Sequence, residues 1–232
     1  MTLNFAAGAN IGSQLNSCPQ FIFSLARVDS VGNLTVLGTA FCLDKPGLLA
    51  TVAHLVGQTD EGLVIIRNSV TNIDDYQIGM RQRFQWLSVK IVQHNPVHDL
   101  AILKLDFPLD TKWPIQVGTA DNVGVGTDVV SFGYPHLALR RSVLTRHHAT
   151  VGAKILLPSL GNDAKFLVLN FLARPGQSGS PVFRPGSVEM VAVLTGAYVP
   201  ESNGQVKFFG VDPAAINQTT HAVSAEYLRG MY

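Results

Sequence analysis

The strongest constraint on this chain is the length and spacing of its apolar runs. They are short, rich in Val, Ile, Leu and Phe, and separated by Gly, Pro, Asn or Asp. They fall at Phe21–Val28, Leu34–Cys42, Leu48–Val52, Leu63–Arg67, Leu87–Gln93 and Ala101–Leu105. After a polar gap near Pro108–Gly126 they resume at Asp128–Phe132, Thr150–Leu156, Phe166–Asn170, Met190–Thr195 and Phe208–Val211. Runs of strand length at regular intervals, bounded by turn residues, read as the strands of a sandwich or barrel. The 21 Gly and 12 Pro among 232 residues suit many tight turns better than long helices. The gap divides the chain into two halves, 1–115 and 116–232, with no sequence repeat between them. One helix is expected. Asp212 can cap it, Pro213 fits its first position, Ala214 to Tyr227 carries apolar residues on one side, and Gly230 ends it. The expectation is an all-β chain of two barrels followed by a C-terminal α-helix.

Composition narrows the function classes. Hydrophobic residues make up 47% and charged residues 14%, which excludes a disordered chain and implies a large core. A net charge of +1 with no Lys/Arg-rich run gives no field to gather nucleic acid or anionic lipid. Arg140, Arg141 and Arg146 read as a solvated loop. No stretch approaches the roughly 18 apolar residues of a membrane span. Met1 to Asn10 has neither a basic start nor a continuous apolar run, so a soluble, cytoplasmic protein is expected. The two cysteines, Cys18 and Cys42, form no CxxC pair and read as ordinary thiols; a bridge depends on their Cα separation. The pairs His94/His98 and His147/His148 have no convincing ligand partner, and no metal site is expected.

Three segments carry chemistry. Gly176-Gln177-Ser178-Gly179-Ser180-Pro181 places a serine between glycines, which permit a tight backbone path and clear space for a substrate carbonyl. Leu49-Ala50-Thr51-Val52-Ala53-His54 ends an apolar strand in a histidine. His98-Asp99-Leu100-Ala101-Ile102-Leu103 sets a carboxylate just before another. Each alone is an ordinary structural feature. Together, in the order His, Asp, Ser, they are the types that acyl transfer needs. A serine hydroxyl is a weak nucleophile until a base takes its proton. Imidazole titrates near neutrality and can accept that proton and return it to the leaving amine. A carboxylate fixes the imidazole tautomer and stabilises the imidazolium.

These segments resemble the chymotrypsin-like serine proteases. Thr51-Val52-Ala53-His54 is similar to the family's Thr-Ala-Ala-His box, Asp99 to Leu103 to its Asp-Ile-Ala-Leu-Leu box, and Gly176 to Pro181 to Gly-Asp-Ser-Gly-Gly-Pro. Val129 to Pro135 and Phe209-Gly210-Val211 are similar to the HtrA-like branch. The resemblance spans about residues 35 to 215. It implies two perpendicular six-stranded barrels with the site between them, and a serine endopeptidase without cofactor. Ser178 would be the nucleophile, His54 the general base and Asp99 its orienting acid. The amides of Gly176 and Ser178 would form the oxyanion hole, and the partner would be a protein or peptide substrate. By the same resemblance, Leu172 and Ala173 lie at the base of the specificity pocket and Thr195-Gly196-Ala197 form its wall. None is charged, so apolar or small residues before the cut are expected.

The chain also departs from the secreted members. No cysteine follows His54 to pair with Cys42, and no Arg/Lys-Ile-Val-Gly-Gly activation site is visible. Gln177 stands where they carry Asp, and Ser180 where they carry Gly. A new N-terminal ammonium has no charge to pair with at Gln177, so no N-terminal cleavage is expected for competence. The three segments together argue against a rival class, a protease-fold module that binds peptides without cutting them, and the same two departures keep it open. A regulatory partner or oligomer fits either class.

Overall fold

The computed structural model describes residues 15–67, 71–79, 85–106, 113–135, 142–159, 162–198 and 219–232. The first six strands are β1 (Ile22–Val28), β2 (Leu34–Cys42), β3 (Leu48–Thr51), β4 (Leu63–Ile66), β5 (Trp86–Asn95) and β6 (Leu100–Leu105). They close into a barrel in the order β1-β2-β3-β6-β5-β4. The second half holds β7 (Gln116–Val117), β8 (Asp128–Gly133), β9 (Thr145–Ser159), β10 (Asn162–Leu169), β11 (Pro181–Phe183), β12 (Glu189–Tyr198) and β13 (Thr219–Ser224). There the order is β11-β8-β9-β10-β13-β12, and a β11–β12 pairing closes the ring. With β7 set aside, the two rings have the same strand order. The two-barrel architecture expected from the spacing of the runs is therefore present, and the topology repeats although the sequence does not.

The physical reasons are local. Strands such as β4 and β6 are apolar nearly throughout because they face a barrel interior on one side and packed neighbours on the other. β9 runs 15 residues because it pairs with β8 through its first part and with β10 through its second. β7 adds to β12 as a short parallel strand that the polar gap gave no sign of.

The expected C-terminal helix is not what forms within the described residues. Thr219–Ser224 is β13, and only Ala225–Leu228 turns, as a 3₁₀ helix. Thr220, Ala222 and Ser224 alternate with His221 and Val223, and the segment is hydrogen-bonded to β10 on one side and β12 on the other. Ladder pairing on both sides outweighs the apolar periodicity. Residues 212–218 and the expected Phe208–Val211 strand lie outside the described residues.

One core cluster joins the two barrels. Phe21 stacks on Trp113 at 5.4 Å, and Trp113 meets Phe183 at 5.2 Å, all three fully buried or nearly so. Such ring pairs contribute about 0.5–1.5 kcal/mol each beyond their buried area. The Tyr134 hydroxyl adds a bond from the second half to the Ile22 carbonyl at 2.9 Å. Cys18 and Cys42 are buried free thiols in this cluster. Among the described residues no helix is long and apolar enough to cross a membrane.

Candidate active site

His54 and Asp99 are brought together by the β3–β6 ladder. Thr51 pairs with Ala101, so the chain three residues past Thr51 meets the chain two residues before Ala101. A single turn of helix, α1 (Ala53–Val56), follows β3. The first amides of a helix have no partner inside it. Here the Asp99 carbonyl accepts the Ala53 N–H at 3.1 Å, and Asp99 Oδ1 accepts the His54 N–H at 2.9 Å. The remaining oxygen, Oδ2, lies 2.7 Å from His54 Nδ1. Asp99 thus caps the turn that carries the histidine and orients its ring with one carboxylate. It does so from a left-handed backbone position, φ 54°, in the turn between β5 and β6, where Asp is better tolerated than most side chains. A carboxylate offers only acceptors at Nδ1, which favours the ring proton there and leaves Nε2 as an acceptor. The His54 side chain is 48% exposed, so the ring is reached by solvent.

The serine loop is held to the first barrel by a chain of single bonds. The Thr39 amide donates to the Ser178 carbonyl at 2.9 Å. The Thr39 hydroxyl donates to the Gly176 carbonyl at 2.8 Å and accepts the Tyr134 N–H at 3.3 Å. The Thr39 carbonyl accepts the hydroxyl of Thr51, three residues before His54, at 2.7 Å. Gly38 is the seam between the two: a Cβ there would overlap Leu55, next to His54, and sit 2.7 Å from the Ser178 carbonyl. Gly179 must be glycine. Its φ is +85°, and a Cβ would overlap the Thr39 carbonyl.

Within the loop, the Gln177 amide donates to the Arg174 carbonyl at 3.0 Å, and Gln177 Oε1 accepts the Arg174 amide at 2.6 Å. The Ser180 amide closes back on the Gln177 carbonyl at 3.0 Å, and the Gly179 amide on Leu194 at 2.7 Å. The amides of 174, 177, 179 and 180 are thereby consumed. Among the described residues, those of Gly176 and Ser178 donate to nothing. Gln177, where a charged residue would have needed a counter-ion, is tied to Arg174 instead. It is 1% exposed, and its Nε2 has no partner among the described residues, an arrangement that costs about 1–3 kcal/mol.

The sequence-derived residues therefore fall as follows. His54 and Asp99 are directly bonded. Ser178 is joined to them through Thr39 and Thr51, and among the described residues no hydrogen bond links its side chain to His54; such contacts commonly tighten only when substrate binds. A Cβ on Gly196 would lie 3.3 Å from Ser178 Oγ, which puts Gly196 beside the serine. Leu172 is 55% exposed, and the Ala173 amide is held by the Thr220 hydroxyl at 2.9 Å. The Thr195 hydroxyl is turned onto the His221 carbonyl at 3.1 Å. Ala197 lies on β12, paired with Thr220. Sequence reasoning missed Thr39 and Thr51 as connectors, although both stand inside the segments it quoted. His98 lies in the turn before β6, where its ring stacks on Tyr227 at 3.8 Å and burial lowers its pKa. Among the described residues no three His, Cys, Asp or Glu side chains are arranged to hold a metal ion.

The sequence model of the trypsin-like peptidase domain matches residues 38–193, more than half of the chain. The chain belongs to this family. Several relatives of this trypsin-like domain are named DegP-like or Do-like proteases. A probable periplasmic serine endoprotease, DegP-like, of Rickettsia conorii is 23% identical over 177 residues, 76% of this chain and 32% of that protein. The chain spans between 20% and 34% of the length of the curated relatives it matches. The MamO protease domain of Magnetospirillum magneticum superposes with a TM-score of 0.66 at 16% identity, covering 94% of this chain and 98% of that one. The HtrA-type protease AlgW, solved with a decapeptide, gives 0.62 at 16% identity, covering 96% and 65%. At such identities the two structures speak for the fold. They agree with two β-barrels of the chymotrypsin kind.

Proposed function

We propose that this chain is a serine endopeptidase that cleaves peptide bonds through an acyl-enzyme. The observation that carries the reading is the two-point grip of Asp99 on His54, through the backbone N–H and through Nδ1. A purely structural cap needs only the first. The second leaves Nε2 as a positioned base on a ring open to solvent. Ser178 Oγ attacks the scissile carbonyl and its proton passes to His54 Nε2. The tetrahedral oxyanion is received by the Gly176 and Ser178 amides, which the loop's own bonds leave unused. His54 then returns the proton to the leaving amine, and water repeats the sequence on the ester. No cofactor enters. Leu172, Ala173, Thr195, Gly196 and Ala197 offer no charge to a substrate Lys or Arg. An unpaired buried charge costs several kcal/mol, so those residues speak for cleavage after uncharged side chains.

The test is hydrolysis of unfolded casein by the purified chain. The unmutated chain should release peptides and Ser178→Ala should release none while unfolding at the same temperature. Equal hydrolysis by both would place the activity elsewhere. Casein bound but never cut would favour the peptide-binding module.

A further inference from the structure

The turn that delivers Asp99, residues 95–99, is held by more than the hairpin of β5 and β6. The Val97 carbonyl accepts the hydroxyl of Ser159, at the end of β9. The His98 ring lies 3.8 Å from the Tyr227 ring and within 16° of parallel to it. Tyr227 stands on the closing 3₁₀ turn, Ala225–Leu228, and its hydroxyl accepts the Lys165 amide of β10 at 2.9 Å. Ser159, Lys165 and Tyr227 all belong to the second half of the chain. The half that carries Ser178 therefore also grips the turn that carries Asp99. Asp99 needs such a grip, because its left-handed backbone, φ 54°, is a costly conformation for any residue with a side chain.

The tautomer of His98 can be read from its partner. The His98 backbone N–H can only donate, and it donates to Asn95 Oδ1 at 3.2 Å. That bond fixes which end of the Asn95 amide is oxygen. The other end, Nδ2, can only donate, and it lies 3.1 Å from His98 Nδ1. Nδ1 is therefore an acceptor, and the ring is neutral with its proton on Nε2. Protonation would set a second N–H against the Asn95 amide nitrogen. Turning that amide over would take the acceptor away from the His98 backbone N–H. No neighbouring charge compensates: among the described residues His98 has no ion-pair partner, Asp99 is engaged by His54, and Lys165 is held between Asp121 and Glu226. Burial lowers the His98 pKa, so the acceptor form is present at neutral pH and is lost as pH falls below the ordinary histidine value of 6.5. We infer that neutral His98 is a positioning residue for Asp99, and that its protonation undocks the Asp99 turn from the second barrel and loosens the carboxylate on His54. Only the consequence for turnover, a loss of base orientation in acid, rests on the protease reading.

The test is imidazole NMR on the full chain carrying Ser178→Ala, and it needs no catalysis. At neutral pH, long-range proton–nitrogen correlations should show His98 Nδ1 without a proton. The exchange of the His54 Nδ1–H with water is then measured at neutral pH and at an acid pH where the His98 ring has taken up its proton, as followed by its own Cε1–H signal. The comparison is with added His98→Asn, whose side-chain oxygen can stand near the place of Nδ1 and does not titrate. At neutral pH the His98→Asn chain, lacking the ring stack, should exchange faster than its parent. In acid the order should reverse, with the parent exchanging about tenfold faster than the variant, the effect of roughly one hydrogen bond. A merely structural His98 would leave the variant the faster at both. An order that does not reverse would overturn the inference. So would a neutral ring with its proton on Nδ1, a readout that needs no variant to fold. Fluorophosphonate labelling of the unmutated chain reads the protease proposal independently. Its failure beside a reversed order would sink the catalysis and leave the positioning role.

Discussion

The two barrels share a strand order but build their parts of the site in opposite ways. The first supplies His54 and Asp99 from the ends of paired strands, so their meeting is a consequence of the β3–β6 register. The second supplies Ser178 from a loop, residues 171–180, with no ladder of its own. That loop takes its shape from positive-φ glycines and from single hydrogen bonds, two of them to the other barrel. The His54–Asp99 pair is thus as robust as the sheet beneath it. Ser178 and the amides around it depend on a few individual contacts, of which Thr39 makes two, through its amide and its hydroxyl.

The largest effect should come from the robust half without unfolding it. Asp99→Asn keeps an acceptor for the His54 N–H and tolerates the left-handed backbone, yet presents the wrong partner to Nδ1. Turnover of a peptide should fall on the order of 10⁴-fold with the melting temperature nearly unchanged. Near-normal turnover would show that Asp99 only caps α1. Next comes the fragile half. Gly179→Ala forces a side chain into φ +85° and onto the Thr39 carbonyl. The backbone alone costs about 1–3 kcal/mol, and the overlap adds to it. Serine reactivity should be lost, together with several degrees of melting temperature. Full reactivity in this variant would mean that the loop is not held as described.

A milder change isolates the connection. Thr39→Val removes the hydroxyl from both the Gly176 carbonyl and the Tyr134 amide inside a fully buried site. A loss of about 1–3 kcal/mol of stability is expected. Reactivity of Ser178 should drop more than tenfold, while the proton NMR signal of His54 Nδ1–H stays in place. If both change together, the two halves of the site are one unit and the comparison fails. The smallest effect concerns the shared core. Burial pushes the Cys42 thiol up to about 12 and raises Cys18 as well. A thiol with a raised pKa stays protonated at pH 8, so neither should react with iodoacetamide in the folded chain. Rapid alkylation would show that the joined core opens readily.

What could be read from the sequence divides along the same line. The strand runs, the two halves and the His54 and Asp99 segments were legible, because strand-end residues inherit their position from periodicity. The loop's chemistry was half legible. Gly176 and Gly179 announce a tight path, but nothing in the residue string says that Thr39, 139 residues earlier than Ser178 in the chain, would be its anchor. β13 was misread because Ala214–Tyr227 has a helical apolar spacing. The alternation within Thr219–Ser224 was present but overlooked. The exchange of an ion pair for an internal tie at Gln177 could be anticipated only as a missing charge.

The account stands most directly on one measurement, the site of covalent labelling by a fluorophosphonate. The purified chain, treated at neutral pH, digested and examined by mass spectrometry, should carry a single adduct on Ser178, formed slowly in Asp99→Asn and absent in Ser178→Ala. An adduct on another serine, or none on a folded chain, would contradict it.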